Sequence, residues 1–194
     1  GKQVGPSTVV LTVADLKTKE LRFGVTSDSI FPAALLCSKL GLKCRNVMFD
    51  GGAEQGLAAM RGDVDIMMDS ISAMKRGVDN SEGKLVALMV IADQRTPVWS
   101  TVTTSKELGL DLGDLKYIAG SARVLGGPAG IPADVLKIMR DAASKALSSA
   151  DFKTGMEKAG FVNAPGTADD ALTTVQKIVT IYEQNKALLL SLAQ

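Results

Sequence analysis

The 194-residue chain has no histidine, only two cysteines, and aromatic residues at 4%. Without histidine, the usual Ser–His and Cys–His nucleophile pairs of hydrolytic enzymes are excluded. The shortage of aromatic residues argues against platforms for stacking nucleic-acid bases, and no run of Lys or Arg exceeds two residues, so nucleic-acid binding is not expected. No apolar run approaches the roughly 20 residues that a membrane-spanning helix requires.

Sequence motifs for catalysis are also missing. The chain has neither a GxSxG nucleophile elbow nor a GxxxxGK[ST] phosphate loop. Gly51, Gly52 and Gly56 follow a predicted strand, but they do not have the GxGxxG spacing of a dinucleotide site. An enzyme that uses a Lys or Asp base is the remaining catalytic alternative, and we predict that the chain is not an enzyme.

The carboxylates Asp63, Asp65 and Asp69 invite a metal or acid–base hypothesis. Asp63 and Asp65 flank the start of a predicted strand, while Asp69 ends that strand and is predicted to cap the following helix. A metal requires more convergent ligands than these, and no histidine is available to add one. We therefore predict no metal and no cofactor.

The chain has an apolar fraction of 46% and a net charge of +1. These values indicate one domain, or two small lobes, with a hydrophobic core. Strands alternate with helices of about ten residues, which is typical of a parallel sheet joined by crossovers. Strands are predicted at residues 21–25, 46–49, 64–68, 85–92 and 117–120, and helices at 30–40, 54–61, 133–148, 151–159 and 167–192.

Two predicted helices begin with a capping box, the first at Thr12 and Asp15 and the second at Thr167 and Asp170. The last helix carries an apolar stripe that we expect to pack in a core. Its members are Leu172, Val175, Val179, Tyr182 and Leu189.

The segment from Asn46 to Ser70 carries the clearest sign of function. A strand runs into Gly51 and Gly52 and turns at once into a helix, which leaves free backbone N–H groups that suit an anion. Parallel strands bring such turns to one edge, where the ligand crevice of open α/β sheets lies. The alternative is an ordinary tight turn whose glycines adopt positive φ. The segment predicts a small anionic ligand held between loops.

Hydroxyl groups follow the first predicted strand at Thr26, Ser27 and Ser29. They offer ligand contacts at a second helix start, and simple N-capping is the alternative role. Both roles are compatible, because capping uses one group and leaves the others free.

Cys37 and Cys44 stand seven residues apart across a predicted helix-to-strand turn. A disulfide is geometrically possible, but the spacing does not indicate one. Buried, unpaired thiols are the preferred interpretation.

Taken in order, the motifs resemble the extracytoplasmic solute-binding receptors of tripartite tricarboxylate transporters. The resemblance covers about Thr12 to Ala187. It is carried by LRFGVTSDS, VMFDGGAEQGLAAMRGDVDIMMDS, GKLVALMV and PAGIPADVLKIMRDAASKALSSADFKTGMEKAGF.

The resemblance implies an α/β fold of the type II periplasmic-binding-protein kind, with one complete parallel lobe and a largely helical C-terminal part of the other. It also implies a periplasmic receptor that captures a small carboxylate in an interlobe cleft and delivers it to membrane permease subunits. The ligand contacts it implies lie in three turns: Thr26, Ser27, Ser29, Gly51, Gly52, Ala53, Asp69 and Ser70. The TSDSIF turn lacks the glycines common in the family, which weakens the case for direct backbone contact there.

Receptors of this family are longer than this chain, which opens on Gly1 without a methionine and resembles a C-terminal portion. The implied organisation is a lead-in with a short helix (1–20), an α/β ligand-binding lobe with a connection (21–113), and the helical part of the first lobe (114–194). Surfaces left exposed by the missing segment are expected to support a homodimer.

An effector-sensing domain of a LysR-type transcription regulator is the alternative function. That class has a related two-lobed fold at a similar length, but it requires two similar α/β lobes, and the second half here supplies few strands. The identity of the carboxylate is not indicated by the sequence.

Overall fold

A computed structural model of the chain describes residues 13–192, except 114, 121–122, 160 and 162–164. Thr12, half of the first predicted capping box, lies outside these residues. The described part contains three β-strands, β1 (Leu21–Val25), β2 (Cys44–Met48) and β3 (Ile66–Met67), and the α-helices α1 (Val13–Leu16), α2 (Ile30–Leu40), α3 (Gly52–Arg61), α4 (Ile71–Asp79), α5 (Leu115–Ala119), α6 (Ala133–Ser148), α7 (Ala150–Lys158), α8 (Ala168–Gln184) and α9 (Lys186–Ser191). A 3₁₀ turn covers Pro97–Trp99.

The three strands form a parallel sheet in the order β2-β1-β3. The register pairs Leu21 with Cys44 on one side of β1 and Phe23 with Ile66 on the other. Because β1 is central, its Leu21, Phe23 and Val25 are almost completely buried. The parallel order brings the carboxyl ends of all three strands to one edge of the sheet.

Helix α2 has the bounds that the sequence predicts, and its Phe31, Leu35 and Leu36 are buried. Pro32 lies in the first turn, where its missing N–H leaves no helical hydrogen bond unmade. Gly41 ends the helix in the left-handed region at φ 63°, which a residue with a Cβ adopts only at a cost.

The preferred interpretation of the cysteines is wrong, because Cys37 and Cys44 form a disulfide. The left-handed turn at Gly41 reverses the chain after α2 and places the first residue of β2 beside the last helical turn, with the two Cα atoms 6.3 Å apart. A spacing of seven residues along the chain does not reveal this reversal.

The apolar run at 85–92 is not a strand. Residues 85–89 have no regular structure, and the run makes only an isolated parallel bridge between Val90 and Thr104. The Val90 N–H donates to Thr103 O (2.9 Å) and its carbonyl accepts from Ser105 N (2.8 Å). The run therefore pairs with the connection that follows it and not with the sheet.

The strand predicted at 117–120 is also wrong. Residues 117–119 belong to the short helix α5, which begins with the fully buried Leu115. A run of four residues is too short for its periodicity to distinguish a strand from a helix.

The described residues divide into two compact units. The first unit extends along the chain to Gly120 and also includes the residues from Asn185 onward. The second unit is the sequence range Ser121–Gln184. The second unit contains α6, α7 and α8, and the predicted capping box opens α8: Thr167 N donates to Asp170 Oδ2 (2.8 Å) and Asp170 N donates to Thr167 Oγ1 (3.1 Å). The single helix predicted at 167–192 is interrupted at Asn185, which divides it into α8 and α9.

The apolar stripe predicted to pack in a core is largely exposed. Leu172, Val175 and Val179 are 57%, 41% and 49% exposed, and Ile181 is the single buried residue among the described residues of the second unit. Helix α6 has no buried residue. The helical periodicity is as predicted, but no partner element covers these faces within the described residues.

Candidate functional site

The predicted ligand contacts lie in three turns at the carboxyl edge of the sheet. The turn after β1 holds Thr26, the turn after β2 holds Gly51, and the segment after β3 holds Asp69. Since β1 is the central strand, the turn that begins at Thr26 lies between the other two. The fold therefore brings together segments that are more than 40 residues apart in sequence.

Within the first turn, the hydroxyl groups of Thr26 and Ser29 bind the turn itself. Thr26 N donates to Ser29 Oγ (2.8 Å), and Thr26 Oγ1 donates to Asp28 Oδ1 (2.5 Å). Ser29 is the N-cap residue of α2, but its hydroxyl makes no cap hydrogen bond to the helix. Ser27 is exposed. The turn is thus held by its own hydrogen bonds, with Ser27 as its exposed hydroxyl.

The second turn leads into α3 through Gly51, the N-cap residue, which has extended backbone angles (φ −164°, ψ 165°). Neither Gly51 nor Gly52 has a positive φ, so the tight-turn interpretation of the two glycines does not explain them. Ala53 follows as an exposed residue in the first helical turn. Gly51 has no side chain, so α3 begins without a side-chain cap from its N-cap residue.

Gly52 is explained by its distance to Asp69. A Cβ placed on Gly52 would lie 2.5 Å from Asp69 Oδ2, which is closer than any real contact. The Asp69 carboxylate therefore lies at the amino end of α3, where the helix dipole is positive. This placement joins the second and third turns of the candidate site.

In the third segment, Asp69 and Ser70 make different hydrogen bonds. Ser70 is the N-cap residue of α4, and its Oγ accepts a hydrogen bond from Ala73 N (3.3 Å). The prediction that Asp69 caps this helix is therefore wrong. Asp69 Oδ1 accepts from Ser70 N (2.6 Å), and its other oxygen faces Gly52.

Gln55 is a residue of this edge that the sequence analysis missed. It is completely buried, and its Nε2 donates to Gly24 O (2.7 Å) and to Met68 O (3.5 Å). These bonds tie α3 to the ends of β1 and β3. Its Oε1 is buried and has no hydrogen-bond partner. The available signal was the i, i+3 spacing of Gln55 with the buried Ala58, which places both residues on one face of α3. Because Gln55 is polar, the sequence suggested that it is exposed to solvent.

The other two carboxylates of the metal hypothesis have separate partners. Asp65 accepts hydrogen bonds from Lys19 Nζ (2.7 Å) and from Arg22 N (2.8 Å), Nε (3.0 Å) and Nη2 (3.1 Å), while Asp63 pairs with Arg61. The Arg22 guanidinium, aided by Lys19, holds the pKa of the Asp65 carboxyl well below its usual range. No group of three or more potential metal-binding side chains converges in the part of the chain that the structure describes.

The parallel sheet and its helices form an α/β unit. The matches that follow show that this unit has a fold of the periplasmic-binding-protein kind, the fold class predicted from the sequence. The sequence model of a protein family, the tripartite tricarboxylate transporter family receptor, matches residues 16–189 of this chain. The chain therefore belongs to that family. The resemblance drawn from the motifs is confirmed.

A solved structure supports the same fold. The crystal structure of a TctC solute binding protein from Polaromonas, determined with no ligand, aligns with a TM-score of 0.63 at 19% sequence identity. The alignment covers 85% of this chain and 56% of that chain, so this chain spans little more than half of the solved protein. No curated protein matches the chain. Neither match favours the LysR-type alternative.

No helix in the described part of the chain has both the length and the apolar character needed to cross a bilayer.

Proposed function

We propose that this chain is the ligand-binding part of a solute-binding receptor that serves a membrane transporter and captures a small carboxylate. The observation that carries this proposal is the family match over residues 16–189. The geometry supports it, since three turns lie at one sheet edge and one of them opens α3 without a side-chain cap from its N-cap residue.

The ligand carboxylate lies, in this proposal, at the amino end of α3. Its oxygens accept from the backbone at Gly52 and Ala53, and the neighbouring turns contribute the remaining contacts. The residues assigned to the site are Thr26, Ser27, Ser29, Gly51, Gly52, Ala53, Asp69 and Ser70. A second lobe closes an interlobe cleft over this edge in the whole receptor.

The proposed setting is the periplasm, with permease subunits of the transporter as partners. The disulfide between Cys37 and Cys44 supports this location, because structural disulfides form and persist in oxidising compartments such as the periplasm. The family match gives the transporter as the partner of the receptor class.

A second copy of the chain is the further partner that we propose. The second unit presents apolar side chains at i, i+3 and i+4 spacing on α6, namely Val135, Ile138 and Met139, which are 42%, 67% and 52% exposed. An exposed apolar face of this kind favours association. Sedimentation as a monomer at high protein concentration would contradict the homodimer.

The test of the proposed function is native mass spectrometry of the chain with citrate, succinate and acetate. We expect one carboxylate bound per chain. Gly51→Glu adds a negative charge at the start of α3 and should abolish binding, while Gly56→Glu adds the same charge further along the same helix and should not. The two variants are matched, because a Cβ at either position meets no atom within 4 Å. A folded wild-type chain that binds none of the three acids would contradict the proposal.

A further inference from the structure

Asp50 and Gly51, between β2 and α3, form the single Asp-Gly pair of the sequence, and the sequence has no Asn-Gly pair. The carboxyl carbon of an aspartate can be attacked by the main-chain nitrogen of the next residue, which closes a five-membered succinimide ring. Glycine favours the attack, because it has no Cβ to hinder the approach. The pair is therefore a candidate for a covalent change of the backbone.

Both reacting groups of this pair lack a protein partner within the described residues. Asp50 is exposed, and its carboxylate takes part in no hydrogen bond or ion pair there. The Gly51 N–H donates no hydrogen bond in this part of the chain, and it is the Asp50 N–H that donates to Glu54 Oε2 (3.4 Å). A Cβ placed on Gly51 would meet no atom within 4 Å, so open space surrounds the attacking residue.

Two other aspartates, Asp28 and Asp69, precede a serine, and there the following amide is occupied. Ser29 N donates to a backbone carbonyl (3.0 Å), and Ser70 N donates to the Asp69 carboxylate (2.6 Å). Such a hydrogen bond must be given up before the nitrogen attacks, since it directs the proton and not the nitrogen at the acceptor. Serine also adds the Cβ that glycine lacks. The structure therefore separates the Asp-Gly pair from the two Asp-Ser pairs.

We propose that Asp50-Gly51 is a site of spontaneous isomerisation, at which the folded chain converts Asp50 to an isoaspartyl residue. The Gly51 nitrogen forms a bond to Asp50 Cγ, and its proton leaves with the carboxyl hydroxyl group as water. Solvent water then opens the succinimide. Cleavage of the bond between the nitrogen and Cγ restores aspartate, while cleavage of the bond between the nitrogen and the main-chain carbonyl carbon gives isoaspartate. The overall mass is unchanged, and no oxidant or reductant takes part.

The product has a longer backbone at this turn, because the chain then passes through Cβ and Cγ of Asp50 and the former main-chain carbonyl becomes a free carboxylate. The change lies between Met48, the last residue of β2, and Gly52, the first residue of α3. It therefore alters the connection between a strand of the sheet and its next helix. The proposal rests on the exposure and the free groups of the pair, and it is independent of the proposed function.

The test is incubation of the whole chain for several weeks at neutral pH and body temperature, followed by peptide mapping. An endoprotease that cleaves before aspartate but not before isoaspartate reports each position, and labelling by an isoaspartyl methyltransferase confirms the product. Isoaspartate should form at position 50 roughly tenfold faster than at Asp28 or Asp69. Gly51→Ala should slow the reaction by a similar factor, because its Cβ hinders the attack. Gly56→Ala is the matched control and should keep the wild-type rate, since a Cβ at either glycine meets no atom within 4 Å.

Circular dichroism during the incubation checks that the chain stays folded. The proposal is overturned if isoaspartate forms at position 50 no faster than at Asp28 and Asp69, or if Gly51→Ala reacts at the wild-type rate. Isoaspartate that appears in urea but not in the folded chain would show that the fold protects the pair, and this outcome also overturns the proposal.

Discussion

Cys37 and Cys44 join the last turn of α2 to the first residue of β2 through a disulfide that spans seven residues of sequence. Cys44 also pairs in register with Leu21 at the start of the central strand. The disulfide therefore fixes the end of α2 to the amino end of β2. The candidate site lies at the other edge of the sheet, where the strands have their carboxyl ends.

Reduction of the disulfide is expected to lower the free energy of unfolding by about 2–3 kcal/mol, because the closed loop limits the entropy of the unfolded chain. Urea unfolding with and without a phosphine reductant measures the change. The Cys37→Ala/Cys44→Ala variant is the control, and its unfolding midpoint should not respond to the reductant. An unchanged wild-type midpoint under reduction would show that the link adds no stability.

Asp65→Asn is expected to destabilise the chain by roughly 1–3 kcal/mol at neutral pH. It removes the negative charge of the carboxylate to which both Arg22 and Lys19 donate hydrogen bonds. Asp63→Asn is the matched control, since both Asp63 and its partner Arg61 are exposed, and it should change little.

The same carboxylate gives a pH dependence whose sign follows from its lowered pKa. Asp65 has a lower pKa in the folded chain than its ordinary value of 3.8, so the folded chain binds its proton less readily than the unfolded chain. Its contribution is complete above that value and is lost as the pH falls below it. Urea midpoints of the wild type and Asp65→Asn should converge in this acidic range, and a gap that stays constant there would refute the assignment.

Gly52→Ala is expected to be less favourable to stability than Gly56→Ala by about 1 kcal/mol, because its Cβ must displace the Asp69 carboxylate, and this difference should vanish in an Asp69→Ala background. Gly56→Ala lies on the same helix with open space around its Cβ, and it should be neutral or stabilising. The measurement is a double-mutant cycle of urea unfolding. Additive effects of the Gly52 and Asp69 substitutions would mean that the two residues do not contact each other.

Ile138→Lys is expected to weaken self-association by roughly tenfold, or about 1.4 kcal/mol, because it places a charge in the exposed apolar face of α6. Ser144→Lys adds the same charge at an exposed polar position of α6 and should leave association unchanged. Analytical ultracentrifugation over a concentration series gives the dissociation constants. Equal dissociation constants for the two variants would place the contact elsewhere.

Elements with local signals were predicted well. Strand β1 and helices α2 and α6 have the predicted bounds, because alternating or helical periodicity, an early Pro32 and the terminal Gly41 act within a few residues of one another. The capping box at Thr167 is confirmed for the same reason. The three turns of the candidate site also follow from local strand–helix order, and their role in binding stays a prediction.

Elements that depend on a distant partner were predicted poorly. The run at 85–92 is apolar enough for a strand, but its partner is Thr104 and not the sheet. The stripe of α8 has helical spacing, yet spacing does not tell which element covers it, and Leu172 is exposed. A hydrophobic pattern reports that a face can be buried, and only the arrangement of other elements decides whether it is.

The sequence by itself determined the alternation of strands and helices, the family and the segments that form the candidate site, because each is written in residues close together along the chain. Tertiary structure alone decided that β1 lies between β2 and β3, that Cys37 meets Cys44, and that Gln55 is buried. It also decided that Asp69 lies against Gly52. These features depend on distances between atoms that only the packing of the sheet and its helices brings together.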